Sequence, residues 1–214
     1  MKIERLVVGP LEVCCYIVYC PETKEGVIID PGEADLRIVK KVKELDLKIT
    51  AILGTHAHAD HVLGVDYLRK ELKAPYLVHR IDEEFFQDPQ NFAPFRNWGF
   101  PPNPKADEVF EDGDIIKFGK EYLKVIHTPG HSPGSSCFYN EEHKTLFTGD
   151  TLFVEAVGRA DLPGGNYFQM IESIQNKLLV LPDNTKIFPG HDYGSKPVST
   201  IGEEKINNPF LQEF

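Results

Sequence analysis

Thr55-His56-Ala57-His58-Ala59-Asp60-His61 follows directly on the apolar run Ile49–Gly54. The run reads as a short buried strand, so this polar stretch stands where the chain leaves a sheet. Three imidazoles and a carboxylate within six residues are costly beside a core unless a cation pairs with them, and these donors suit zinc or iron. His56 and His58 are two apart, so in extended chain they project to one side. Asp60 and His61 fall where the chain turns into a helix and can address a neighbouring position. That helix is expected over Val62–Leu72, with Val62, Val65, Leu68 and Leu72 on one face. An incidental, solvated polar cluster is the alternative.

Three further places complete a set. His131 lies in Thr128-Pro129-Gly130-His131-Ser132-Pro133-Gly134, after the strand-like Leu123–Ile126. Asp150 lies in Thr148-Gly149-Asp150, after Thr145–Thr148, and His191 lies in Pro189-Gly190-His191-Asp192-Tyr193, after Thr185–Phe188. Each candidate thus sits on a loop leaving a strand, which is how rigid α/β frameworks commonly present functional groups. His79, His127 and His143 belong to no such pattern and read as ordinary core or surface histidines.

Outward from these loops, Ile3–Val8, Val13–Tyr19 and Gly26–Asp30 read as a strand meander. Leu36, Val39, Val42 and Leu45 recur among lysines as an amphipathic helix, and Pro75–His79 is a further strand. Asp114–Phe118 and Ser135–Tyr139 are strand-like, and Met170–Leu181 carries Ile171, Ile174, Leu178 and Leu181 at helical spacing. Strand meanders with flanking helices, twice over, predict an α/β architecture of two sheets packed face to face between helical layers. Gln87–Lys105 is the one long irregular segment, with five prolines and Phe92, Phe95, Trp98 and Phe100. It is a lid over the site, a partner contact or a rigid loop packed on the body.

Composition narrows the function class. The net charge of −10, from 33 acidic against 23 basic residues, repels polyphosphate and argues against nucleic-acid binding. No apolar run approaches the roughly 20 residues of a membrane span. Met1-Lys2-Ile3-Glu4-Arg5-Leu6 has no export signal, so a cytoplasmic protein is expected. The 214 residues are expected to form one domain over 1–214. Cys14, Cys15, Cys20 and Cys137 show no Cys-x-x-Cys spacing and read as buried free thiols.

The His-x-His-x-Asp-His run, followed by Gly-His, Gly-Asp and Gly-His, resembles the metallo-β-lactamase superfamily over nearly the whole chain. The resemblance implies the four-layer αβ/βα sandwich, with two mixed sheets between helical layers. It also implies that one metal is held by His56, His58 and His131, and a second by Asp60, His61 and His191, with Asp150 bridging both. Two divalent cations outweigh Asp60, Asp150 and a bridging hydroxide in charge. The surplus stabilises a developing oxyanion while the metals lower the pKa of water toward neutrality. Asp60 can also orient the hydroxide. Zinc is the first expectation for the metal, and the same donors accept iron or manganese.

Within the superfamily, the short glyoxalase II-like (hydroxyacylglutathione hydrolase-like) proteins are most similar, sharing the Gly-Arg-x-Asp-Leu-Pro-Gly-Gly pattern of Gly158–Gly165. That resemblance implies a thioesterase acting on a hydroxyacylglutathione-like small molecule. Arg159 would bind a glutathione carboxylate through bidentate hydrogen bonds, and Tyr193 would contact the thiol peptide. A structural salt bridge from Arg159 to Asp161, and Tyr193 as a packing residue, are the alternatives. Full-length glyoxalase II enzymes continue into a helical domain, whereas about twenty residues follow His191 here. The tyrosine expected two positions after the arginine is replaced by Asp161. Persulfide dioxygenases are also similar, in His191-Asp192-Tyr193 and in Val198–Lys205 followed by Asn208-Pro209. They imply a single iron held by His56, His131 and Asp150 and action on glutathione persulfide. The residues leave the oligomeric state open, a homodimer included.

Overall fold

The computed structural model describes residues 1–212. Its first sheet begins as an antiparallel meander of β1 (Lys2–Val8), β2 (Val13–Tyr19) and β3 (Glu25–Ile29). Every residue of β2 is buried, and strand alternation divides them. Cys14, Tyr16 and Val18 join the cluster shared with the second sheet, while Cys15, Ile17 and Tyr19 join the cluster under the helices. Cys14 and Cys15 therefore face opposite ways, and all four cysteines are buried and unpaired.

Helix α1 (Leu36–Glu44) starts at Asp35, whose side chain accepts a hydrogen bond from the Arg37 N–H. It buries Ile38, Val39 and Val42, but Leu36 is 72% exposed. Steps of three residues drift around a helix of 3.6 residues per turn, so Leu36 falls off the face that the spacing assigned to it. β4 (Lys48–Leu53) then runs parallel to β3.

The single helix expected over Val62–Leu72 is two, α2 (Ala59–Val62) and α3 (Val65–Leu72). Gly64 makes the break, its N–H donating to the Pro31 carbonyl. A Cβ there would lie 2.2 Å from the Glu33 carbonyl oxygen and 2.7 Å from that of Pro31. This close approach presses the short helix bearing Asp60 and His61 against the turn after β3. β5 (Tyr76–His79), α4 (Arg80–Gln87), α5 (Ala93–Asn97) and β6 (Glu108–Phe110) complete the first sheet, in the order β1-β2-β3-β4-β5-β6.

The second sheet has β7 (Ile115–Phe118), β8 (Glu121–His127), β9 (Ser136–Asn140) and β10 (Thr145–Gly149) as an antiparallel series. After the small hairpin of β11 (Leu152–Phe153) and β12 (Ala156–Val157), α6 (Tyr167–Ser173) covers the outer face. α6 begins before the expected Met170 because Asn166 caps it, and it widens into a π-helical turn over Ile174–Leu178. β13 (Lys186–Pro189) returns parallel to β10, and β14 (Ser199–Thr200) and α7 (Ile201–Asn207) finish the sheet, ordered β14-β13-β10-β9-β8-β7.

Three apolar clusters mark three interfaces and hence four layers. Val62, Val65, Leu68 and Phe86 pack with Ile17, Ile28 and Ile52 on the outer face of the first sheet. Tyr16, Ile29 and Leu53 meet Phe118, Phe138 and Phe147 between the sheets. Met170, Ile171, Ile174 and Ile201 pack on Leu146 and Ile187 of the second. The expected α/β sandwich of two mixed sheets between helical layers is therefore observed. Among the described residues no helix is long and apolar enough to cross a membrane.

Gly64→Ala is expected to destabilise the fold by ~1–3 kcal/mol, as overpacking against rigid backbone does. Thermal unfolding checks this, and an unchanged Tm would show that the α2–α3 break tolerates a side chain.

Candidate metal centre

β8, β10 and β13 run in the same direction and end beside the C-terminal end of β4 at one edge of the sandwich. His56 and His58 follow β4, Asp60 and His61 sit on α2, and His131, Asp150 and His191 follow β8, β10 and β13. The structure brings all seven together. Donor atoms of His56, His58 and His131 lie within 4.8 Å of one another, as do those of Asp60, His61 and His191. Asp150 reaches both groups, with Oδ1 3.4 Å from His61 Nε2 and Oδ2 3.6 Å from His131 Nε2 and 3.5 Å from His191 Nε2.

The arrangement fits cations. Nε2 of His131 and His56 face each other at 3.2 Å, as do those of His61 and His191, which sets lone pairs head-on unless a proton or a metal stands between them. His58 Nε2 and Asp150 Oδ1 are buried without a hydrogen-bond partner, a costly condition that coordination relieves. Burial, reinforced by His61, His58 and His131, pushes the His56 pKa well below the usual imidazole range. Burial and neighbouring imidazoles also lower His58, and burial lowers His131. These three rings are held neutral, the form that binds metal. Burial opposes charge on His61 too, but Asp150, Asp60 and Asp30 outweigh it and raise its pKa well above normal. Asp150 is held ionised by His61, His191 and His131 against its own burial.

The rings are aimed by partners behind them. Thr55 donates its hydroxyl to Asp30 Oδ2 at 2.7 Å, so its oxygen accepts from His56 Nδ1–H at 3.0 Å and leaves Nε2 free. Asp30 Oδ2 also accepts from His61 Nδ1–H at 3.1 Å, and Arg159 accepts from His131 Nδ1–H at its carbonyl, at 2.6 Å. Such contacts fix tautomer and orientation. Asp30 groups geometrically with His56 and His61, but its oxygens are already committed to Thr55 and His61, which makes it an orienting residue.

Asp82, fully buried on α4, ties the two loops of the first group together. Its Oδ2 accepts from the Ala57 N–H at 2.9 Å and the Ser132 hydroxyl at 2.7 Å, while Oδ1 accepts from the Gly134 N–H. Burial raises its pKa to about 6 against these hydrogen bonds. Sequence reading missed both carboxylates. Asp30 carried a signal, Asp30-Pro31-Gly32 at a strand end, whereas Asp82 in Arg80-Ile81-Asp82-Glu83-Glu84 looks like a solvated helix start.

Above the centre lies a cavity of about 400 Å³, with Arg159 and Tyr193 in its lining. Arg159 is in a bidentate pair with Asp161, Nε–Oδ1 at 2.6 Å and Nη2–Oδ2 at 2.8 Å, and this pairing holds the Asp161 carboxyl down to about 2. Tyr193 stacks on His191, ring centroids 4.8 Å apart, and is 66% exposed. His79 stacks on His127 at 4.2 Å, and His143 bonds Glu121 at the surface. None of these three belongs to the cluster.

Two sheets back to back, with a histidine–aspartate pocket at the strand ends, form the framework of a metal-dependent hydrolase. The chain belongs to the metallo-β-lactamase superfamily, whose sequence model matches residues 8–191. It is 37% identical to hydroxyacylglutathione hydrolase GloC of Haemophilus influenzae, over 99% of this chain and 98% of that protein. It is 35% identical to the mitochondrial persulfide dioxygenase ETHE1 of Bos taurus, over 92% of this chain and 70% of that one. The crystal structure of TTHA1623 in a di-iron-bound form superposes with a TM-score of 0.83 at 37% identity, covering 97% of this chain and 100% of that chain.

Asp150→Ala is expected to abolish metal retention, read by elemental analysis of the purified protein. Unchanged metal content would remove Asp150 from the centre. Asp82→Asn turns an acceptor into a donor facing the Gly134 N–H, and should cost roughly 1–3 kcal/mol and weaken binding of one metal equivalent. Denaturant unfolding and metal titration measure the two effects.

Proposed function

We propose that this protein is a glyoxalase II-like thioesterase that hydrolyses a hydroxyacylglutathione-like thioester. In this reading His56, His58 and His131 hold one divalent cation, Asp60, His61 and His191 hold a second, and Asp150 is shared. The supporting observation is that two three-donor groups meet on the two oxygens of one carboxylate, directly beneath an open cavity. Zinc is the first choice for both ions, with iron or manganese served by the same donors. The match over residues 8–191 supports reading 1–214 as one domain, and a cytoplasmic location is proposed for it.

When bound, the cations lower the pKa of water toward neutrality and offset charge on a developing oxyanion. The chain's own groups do the rest. Asp60, whose pKa His61 lowers against burial, stays ionised and can orient a water at the centre. The orienting contacts of Asp30, Thr55 and the Arg159 carbonyl keep the imidazole nitrogens aimed inward without rearrangement during the reaction. No protein nucleophile is needed: among the described residues no cysteine lines the cavity, and burial pushes the Cys137 thiol up to about 12. Tyr193 offers a phenol at the mouth. Arg159 offers a guanidinium there, once it is released from Asp161.

A second reading, a mononuclear iron persulfide dioxygenase, is favoured by the similarity to ETHE1 and by His56, His131 and Asp150. Two histidines and a carboxylate suit one iron with open positions. Anaerobically purified protein decides between the readings. The thioesterase reading expects about two metals per chain and hydrolysis of S-lactoylglutathione without oxygen uptake. One iron per chain with glutathione-persulfide-dependent oxygen consumption would overturn it.

If Arg159 receives a substrate carboxylate, Asp161→Ala should lower KM for glutathione thioesters several-fold and Arg159→Ala should raise it. Steady-state kinetics in which neither variant moves KM would assign Arg159 to a structural ion pair alone.

A further inference from the structure

The irregular segment 87–105 forms one wall of the cavity. Phe95, on α5, lies against His58 with ring centroids 5.0 Å apart, and Trp98 packs edge-on against Phe95 at 5.7 Å. The segment is pinned at both sides of this contact. The Asn91 side chain donates to the Phe85 carbonyl at 3.0 Å, and the Asn103 side chain donates to the Ala57 carbonyl at 2.6 Å, within the histidine loop itself. The aromatic wall is thus held against the metal centre by the same loop that bears His56 and His58.

The lining chemistry is one-sided. Leu11, Phe95, Trp98, Phe100 and Phe153 all face the cavity, and Trp98 and Leu11 remain 58% and 48% exposed there. Among the described residues lining it, only Arg159 and Tyr193 are polar apart from the proposed metal-holding groups. Arg159 already has its fork filled by Asp161. No serine, threonine, asparagine or glutamine lines the cavity to meet a hydroxyl on a short acyl chain. Apolar walls with few polar groups select ligands by the apolar surface they remove from water.

We propose that the Phe95–Trp98–Phe100 wall is the acyl subsite, and that the enzyme prefers thioesters of apolar, aromatic-sized acids to short hydroxylated ones. This rests on the thioesterase reading above and keeps its glutathione thioester, but replaces the hydroxyacyl group of that reading with an apolar one. The acyl carbon would lie at the metal centre beside His58, with its substituent directed along Trp98, the exposed ring of the wall, which the buried Phe95 backs.

The test is steady-state kinetics of the metal-loaded enzyme on glutathione thioesters that differ only in the acyl group: acetyl, lactoyl, butanoyl, hexanoyl and phenylacetyl. kcat/KM should rise roughly three- to fourfold per buried methylene, placing phenylacetyl at least about tenfold above lactoyl. Trp98→Ala should flatten this dependence, and Trp98→Phe should restore most of it. Metal content and circular dichroism would show that both variants are folded and loaded. A flat series, lactoyl as the fastest substrate, or a dependence unmoved in both Trp98 variants overturns the acyl assignment while the thioesterase reading stands. No hydrolysis of any member, with persulfide-dependent oxygen uptake, overturns both.

Discussion

Five imidazoles and two carboxylates gathered in one buried pocket are tenable only if positive charge is shared among them. In an environment of low dielectric, unpaired donors and acceptors each cost free energy of the order of a lost hydrogen bond or more. Facing nitrogens at 3.2 Å and unpartnered atoms on His58 and Asp150 show that the protein groups alone do not satisfy one another. The rest of the fold serves this constraint. Strands from two sheets end at one edge, and the loops that leave them are held by contacts within the protein.

That holding is the work of two buried carboxylates outside the centre. Asp30 links the turn after β3 to Thr55 and His61, and Asp82 links α4 to the loops bearing His58 and His131. Each accepts from backbone N–H groups as well as side chains, so each orders the backbone that carries the donors. Gly64 adds a steric version of the same coupling by letting α2 and α3 approach the turn after β3. The centre depends on the outer helical layer as much as on the sheets, because Asp82 and the Phe95 wall both come from it.

The cavity divides its chemistry between floor and walls. The floor is polar and charged, suited to polarising a carbonyl and activating water. The walls are mainly aromatic and aliphatic. Aromatic rings lie against histidines of both proposed metal groups, Phe95 against His58 and Tyr193 against His191, so the cavity walls and the histidine pocket are in direct contact. The chain is similar to both GloC and ETHE1.

The sequence alone determined the chemistry of the site, because costly residue types at strand ends are visible without coordinates. The run from His56 to His61, and the Gly-His and Gly-Asp turns at His131, Asp150 and His191, could be read as one centre. The two-sheet architecture was legible too, since strand alternation and helical spacing are local patterns. Only the tertiary structure decided what depends on approach between distant segments. It broke the helix at Gly64 where another loop's carbonyls come within contact. It assigned Asp82 to the interior although its neighbours are charged. It placed the proline-rich segment as a wall, and paired Arg159 with Asp161 rather than leaving it free. Local spacing reports the period of an element. Burial and partnership are properties of the assembled chain, set by which surfaces the packing brings together.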